Sequence, residues 1–198
     1  MKDRMANAVV IGASAGAVDA LSSILPMLPK NFPVPILIVV HLPPEQDSLL
    51  PQLMQARCAL NVKEAEDKEP IQPGAVYFAP PNYHLLVEAD RTIAFSNDEP
   101  VLFCRPSVDV LFEAAADVYG AGLVGIVMTG ANYDGTDVLR AIRKAGGTAI
   151  VQNPQGAFAS TMPQSALKAC PDALVLDVKE IGEYLQHIKL IEPAHDAA

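Results

Sequence analysis

With 198 residues, 51% of them hydrophobic and 19% charged, the chain has the length and the apolar material for one sizeable core, which excludes disordered and fibrous classes. Its 14 lysines and arginines against 23 aspartates and glutamates give a net charge of -9, the wrong sign for gripping phosphate backbones or anionic lipid, so nucleic-acid binding is not expected. Pro, Asp, Lys or Gly interrupts every apolar run before it reaches about 18 residues, so no membrane insertion is expected either.

At the N-terminus, Lys2 and Arg4 ahead of an apolar stretch imitate a signal peptide, but Asp3 and the punctuating glycines argue against export and for a cytoplasmic location. Cys58, Cys104 and Cys170 are an odd number without metal-site spacing and read as reduced core residues. Further along, short runs of valine and isoleucine alternate with segments of helical spacing, the pattern of crossover units that build a parallel sheet. Residues 8–11 read as a buried strand, 12–16 as a turn and 17–27 as a helix closed by Pro26 and Pro29. A second apolar strand, 35–40, ends at His41; Pro43 and Pro44 break the chain, and a helix follows over 48–59.

Between 61 and 94 alternation replaces helical period, with strands at 61–65, 75–79, 85–88 and 92–95 and a turn at Asp90 and Arg91, so an antiparallel excursion is expected. Ser107 then caps a helix running to about Tyr119. A strand at 123–128, a loop over 129–135, a helix through 145, a strand at 148–151 and a helix at 161–168 follow, and 173–176 and 181–188 close the pattern. The fold class is α/β: a doubly wound, three-layer, mostly parallel sheet of about seven strands with an antiparallel hairpin excursion. No linker or repeat divides it, so one domain is expected over 1–191, with 192–198 a frayed tail.

Ligands of such sheets bind beyond the carboxyl ends of the strands. Three of those ends carry reactive groups: Gly12-Ala13-Ser14-Ala15-Gly16, His41, and Thr129-Gly130-Ala131-Asn132-Tyr133-Asp134-Gly135. A Gly-x-Ser-x-Gly turn between strand and helix is a nucleophile elbow, its glycines easing a sharp turn that exposes the hydroxyl. The next helix aims free N–H groups at the same point, making the Ala15 N–H a first oxyanion donor. The plainer reading is a tight turn with Ser14 as N-cap. A dinucleotide cradle is disfavoured, because Ser14 replaces the second glycine and His41 stands where ribose recognition needs a carboxylate. In isolation His41 would be a satisfied structural histidine, but a strand end within reach of Ser14 suits a general base better than the places of His84, His187 or His195. Asp134 is better placed than Asp137 to orient it, although Asp before Gly is also an ordinary N-cap.

These residues resemble the catalytic domain of the CheB family, the chemotaxis receptor methylesterases, from Val9 to about Val178. The resemblance lies in the serine turn and in Val40-His41-Leu42-Pro43, Ala79-Pro80-Pro81-Asn82-Tyr83-His84-Leu85 and Arg105-Pro106-Ser107-Val108-Asp109-Val110-Leu111-Phe112. Thr129-Gly130 with Asp134-Gly135 is similar to the family's aspartate loop, and Gly146-Gly147 through Gln152 and then Met162-Pro163 resemble the segment after it. The resemblance implies Ser14 as nucleophile, His41 as general acid and base, and Asp134 as its orienter. It further implies hydrolysis of glutamyl methyl esters on chemoreceptor cytoplasmic helices, with deamidation of receptor glutamines as a second activity. The Ala15 and Ala131 N–H groups are the expected oxyanion donors, and no metal or organic cofactor is expected. Ala131 stands where the family usually has methionine and Asn132 where it usually has glycine. The chain starts a few residues before its first strand, without the receiver domain of family regulators, which leaves three expectations open: a stand-alone esterase, a separate receiver or regulatory protein as partner, or a fragment of a longer protein. Two other readings stand beside this one: a binding module of the same fold, and an esterase for another protein or small ester.

Overall fold

The computed structural model describes residues 4–41 and 49–191. In chain order the elements are β1 (Arg4–Ala6), β2 (Ala8–Ala13), α1 (Ala17–Ile24), β3 (Ile36–Val40), α2 (Leu50–Gln55), β4 (Asn61–Glu64), β5 (Ala75–Phe78), β6 (His84–Val87) and β7 (Ile93–Ser96). Then come α3 (Val108–Tyr119), β8 (Leu123–Val127), α4 (Val138–Lys144), β9 (Thr148–Gln152), α5 (Thr161–Ala169), β10 (Leu174–Leu176), α6 (Val178–Gln186) and β11 (Ile188–Leu190). Seven of these strands form a parallel sheet in the order β10-β9-β8-β2-β3-β5-β4.

The unbroken apolar runs of β2 and β3 follow from burial on both faces, as a parallel sheet between helices requires. Because side chains alternate along a strand, Val9, Ile11 and Ala13 of β2 join Ile36, Ile38 and Val40 of β3 in one core with α1, α2 and α6. Ala8 and Val10 join Leu37 and Val39 in the other, with α3, α4, α5 and the β6–β7 hairpin. The result is the expected three layers. From β2 the chain builds outward through β3 to the β4 edge, then returns to lay β8 on the other side of β2. That reversal opens a crevice at the carboxyl ends of β2, β3 and β8, where the reactive residues lie.

The stretch 61–94 departs from expectation. β4 and β5 pair in parallel within the main sheet, and only β6 and β7 are antiparallel. The misreading has two physical sources. Within edge strand β4 only Val62 is buried, which mimics the alternation of a hairpin. In addition, residues 65–74 connect β4 to β5 without a helix, removing the periodicity that normally announces a crossover. β1 and β11, a parallel pair, were also not anticipated, because three residues each is too short to show a period. Helix α1 ends at Ile24 and passes into a 3₁₀ turn, Leu25–Met27, that contains Pro26. Ser48, Leu42, Pro43, Lys2, Asp3, His195 and the expected tail lie outside the described residues.

Candidate active site

The register of the sheet sets the site. Ala13 of β2 pairs with Val40 of β3, and the His41 N–H donates to Ala13 O at 3.2 Å, so Ser14 and His41 leave neighbouring strands at one level. On the other flank Ser14 N donates to Thr129 O at 2.9 Å, which ties the serine turn to the loop after β8. Gly16 supplies the φ of +84° that turns the chain into α1 and itself occupies the N-cap position, so Ser14 does not cap that helix. Gly12 has a different reason. A Cβ there would lie 2.3 Å from Val108 Cγ1, so only glycine lets the first turn of α3 sit directly on β2.

That first turn holds the carboxylate. Asp134 is fully buried, and its Oδ1 accepts from Ser107 Oγ at 2.8 Å and Asp109 N at 3.0 Å. Its Oδ2 accepts from Val108 N at 2.6 Å and faces His41 Nε2 at 2.8 Å. Asp134 is therefore not the N-cap of the helix that follows it; Asp137 occupies that position, and Asp134 satisfies the free N–H groups of α3 instead. Ser107 does cap α3 as expected, accepting from Val110 N at 3.4 Å. His84 is the satisfied structural histidine: it is buried, its Nδ1 accepts from Ser107 N at 3.2 Å, and its Nε2 lies 3.3 Å from Glu99 O.

Charge follows geometry. Burial pushes the Asp134 carboxyl up, but the bonds from His41, Asp109 N and Val108 N outweigh it and hold the group below the usual carboxylate range. Asp109 goes the other way, raised to about 7 by burial and then by the Asp134 charge, against the Gly135 N–H it accepts at 3.0 Å. For His41, burial opposes the imidazolium, yet the hydrogen bonds to Asp134 and Cys104 and their charge bring it up to about 9.

Sequence reasoning missed two neighbours of His41. Asn132 Nδ2 lies 2.6 Å from His41 Nδ1 and 3.5 Å from Cys104 Sγ. Both ring nitrogens are thereby engaged, one by Asp134 and one by Asn132, and neither by Ser14. Contrary to the expected core placement, Cys104 is half-buried and lines a cleft of about 280 Å³ with His41, Asn82, Pro100, Phe103 and Arg105. Cys58 is half-buried at a core edge, Cys170 is buried, and all three thiols are free. Ligand atoms of His41, Cys104 and Asp134 lie within 4.8 Å of one another, the one group among the described residues with metal-ligating potential. No periodicity announces either neighbour, because both stand in loops. Ala15 follows the serine, and Gly130, just before Ala131, packs against it, a Cβ there lying 3.1 Å from Ser14 Cβ; among the described residues neither the Ala15 nor the Ala131 N–H has a backbone acceptor.

A family model for CheB methylesterase matches residues 9–185. The chain belongs to the CheB methylesterase family. The crystal structure of the CheB methylesterase catalytic domain of Thermotoga maritima superposes with a TM-score of 0.88 at 34% identity, covering 91% of this chain and 97% of that one. A Leptospira interrogans protein is 48% identical over 176 residues, 89% of this chain and 91% of the relative. Its name, protein-glutamate methylesterase/protein-glutamine glutaminase, is itself marked provisional. The protein of that name from Desulfotalea psychrophila is 37% identical over 192 residues, 94% of this chain but 53% of the relative, so the chain spans about half of that longer protein. Among the described residues no helix is long and apolar enough to cross a membrane.

Proposed function

We propose that this CheB-type domain is a serine esterase that hydrolyses glutamyl methyl esters on the cytoplasmic helices of methylated chemoreceptors, and that the same site deamidates receptor glutamines. Membership of the family and the names of its relatives support the substrate class. The observation that carries the mechanism is the 2.8 Å pair of His41 Nε2 and buried Asp134, standing on the sheet rim one position beyond the strand pairing that brings Ser14 alongside.

With Nε2 committed to Asp134, Nδ1 is the nitrogen that takes the proton of Ser14 Oγ as the oxygen attacks the ester carbonyl. The Ala15 and Ala131 N–H groups hold the tetrahedral oxyanion. Collapse returns the proton from His41 to the departing methanol and leaves a glutamyl ester on Ser14. Water then attacks the acyl-enzyme with His41 again accepting a proton, and glutamate and free Ser14 are released. With glutamine the leaving group is ammonia. The chemistry needs no metal or organic cofactor, and a separate receiver or regulatory protein in the cytoplasm is the partner that would control it. Methanol release from methylated receptor membranes tests the proposal: Ser14→Ala should lower turnover by about 10⁶. Wild-type turnover in that variant overturns it.

A further inference from the structure

We propose that Asn132 is a side-chain gate on the general base: its carboxamide occupies the His41 ring nitrogen that must receive the serine proton, and it must swing away before each attack. The inference rests on the Ser14-His41-Asp134 reading. The ring cannot avoid the conflict by turning over, because Nε2 is bound to Asp134 at 2.8 Å and Asp134 is itself clamped by the first turn of α3. In the neutral ring, which predominates above about pH 9, only the Nδ1 lone pair is left for proton transfer. Asn132 Nδ2 stands 2.6 Å from it, so the carboxamide and the Ser14 hydroxyl compete for one acceptor.

The side chain is seated rather than stray. Asn132 Oδ1 accepts from Asp134 N at 3.3 Å, and Nδ2 also reaches Cys104 Sγ at 3.5 Å. Yet it is only half-buried, its neighbours Ala131 and Tyr133 are exposed, and the cleft of about 280 Å³ opens at His41 and Cys104, so the carboxamide has somewhere to go. Asp134 and Cys104 face the ring directly, Asp109 stands behind Asp134, and Arg105 lines the cleft; Asn132 Nδ2, at 2.6 Å, is the group hydrogen-bonded to Nδ1. A competition decided by one ordinary hydrogen bond amounts to roughly three- to tenfold in rate.

The test measures the rate at which a fluorophosphonate labels Ser14 in the wild type, Asn132→Ala, Asn132→Gly, Asn132→Asp and Ser14→Ala. Thermal melts and the ¹⁵N resonance of His41 Nδ1 accompany each rate. Above about pH 9, where the ring is neutral, removing the carboxamide should speed labelling and kcat/KM about three- to tenfold at unchanged Tm and move the Nδ1 resonance. Asn132→Asp should slow labelling below wild type at the same pH, because a carboxylate beside Nδ1 raises the ring's pKa further. If Asn132→Ala melts early, Asn132→Gly decides. Labelling no faster than wild type in a folded variant without the carboxamide, or an unmoved Nδ1 resonance, overturns the gate while leaving the triad standing. Failure of every variant to label at Ser14 overturns the triad and the gate with it.

Discussion

The two ends of the site are built differently. Asp134 is fully buried and bound by four donors: a hydroxyl, two backbone N–H groups of α3 and an imidazole. Ser14 is half-exposed in a turn, anchored through its backbone N–H, while the ring nitrogen assigned to it in the proposed mechanism is held by Asn132. The acid end must carry charge where water is scarce, and fixed dipoles do that without reorganising during the reaction. A nucleophile at Ser14, as proposed, must admit a substrate, so its contacts have to be exchangeable.

The sharpest way to break the contrast is at the acid. Asp134→Asn should cost about 10⁴ in kcat, since an amide cannot hold the imidazole in its working tautomer. It should also lower stability by about 1–3 kcal/mol, because its NH₂ must face one of the N–H donors; methanol release and thermal melting measure the two effects. Gly12→Ala attacks the support beneath. The new methyl collides with Val108, whose N–H binds Asp134, and the displaced first turn of α3 should lower kcat by about 10²-fold with substrate binding retained. Unchanged kcat would mean that α3 yields without moving the carboxylate.

His41 then sets the pH dependence. With its pKa raised to about 9, the ring is mostly protonated at neutral pH, so kcat/KM should climb on the order of 50-fold from about pH 7 to 9 and level off above. Stability runs in the opposite sense. The contribution of the His41–Asp134 pair is fully present below about 6.5, the unfolded pKa, and is lost as pH rises through about 9, so melting temperatures should fall across that window and fall less in His41→Gln. Ser107→Ala is the mildest test. It removes one of the four donors and the α3 cap together, for about 1 kcal/mol of stability and about tenfold in kcat. A larger loss of rate than Asp134→Asn would invert the ranking of the contacts.

The positions of Ser14, His41 and Asp134 at strand ends were legible because each follows a strand whose apolar run is unmistakable. The clamp on Asp134 was not, since residues 107–109 and 134 meet only through tertiary packing and each segment alone reads as an ordinary helix start. Ser107 was correctly read as a cap, but its second bond, across to Asp134, has no local signal. Asn132 and Cys104 were missed for a related reason: side-chain directions in loops obey no period. The parallel pairing of β4 and β5 escaped because hydrophobic alternation reports exposure, and an edge strand in a parallel sheet shares that exposure with a hairpin.

The bond between His41 and Asp134 joins positions 93 residues apart, and Ser14 stands earlier still. On the proposed triad, serine and imidazole leave the ribosome during translation long before the acid that would complete them, so the nascent chain should stay hydrolytically silent until β8 and the loop behind it have emerged and docked. In a refolding experiment, recovery of esterase turnover would time the closing of this long-range contact, well after collapse of the first strand–helix unit.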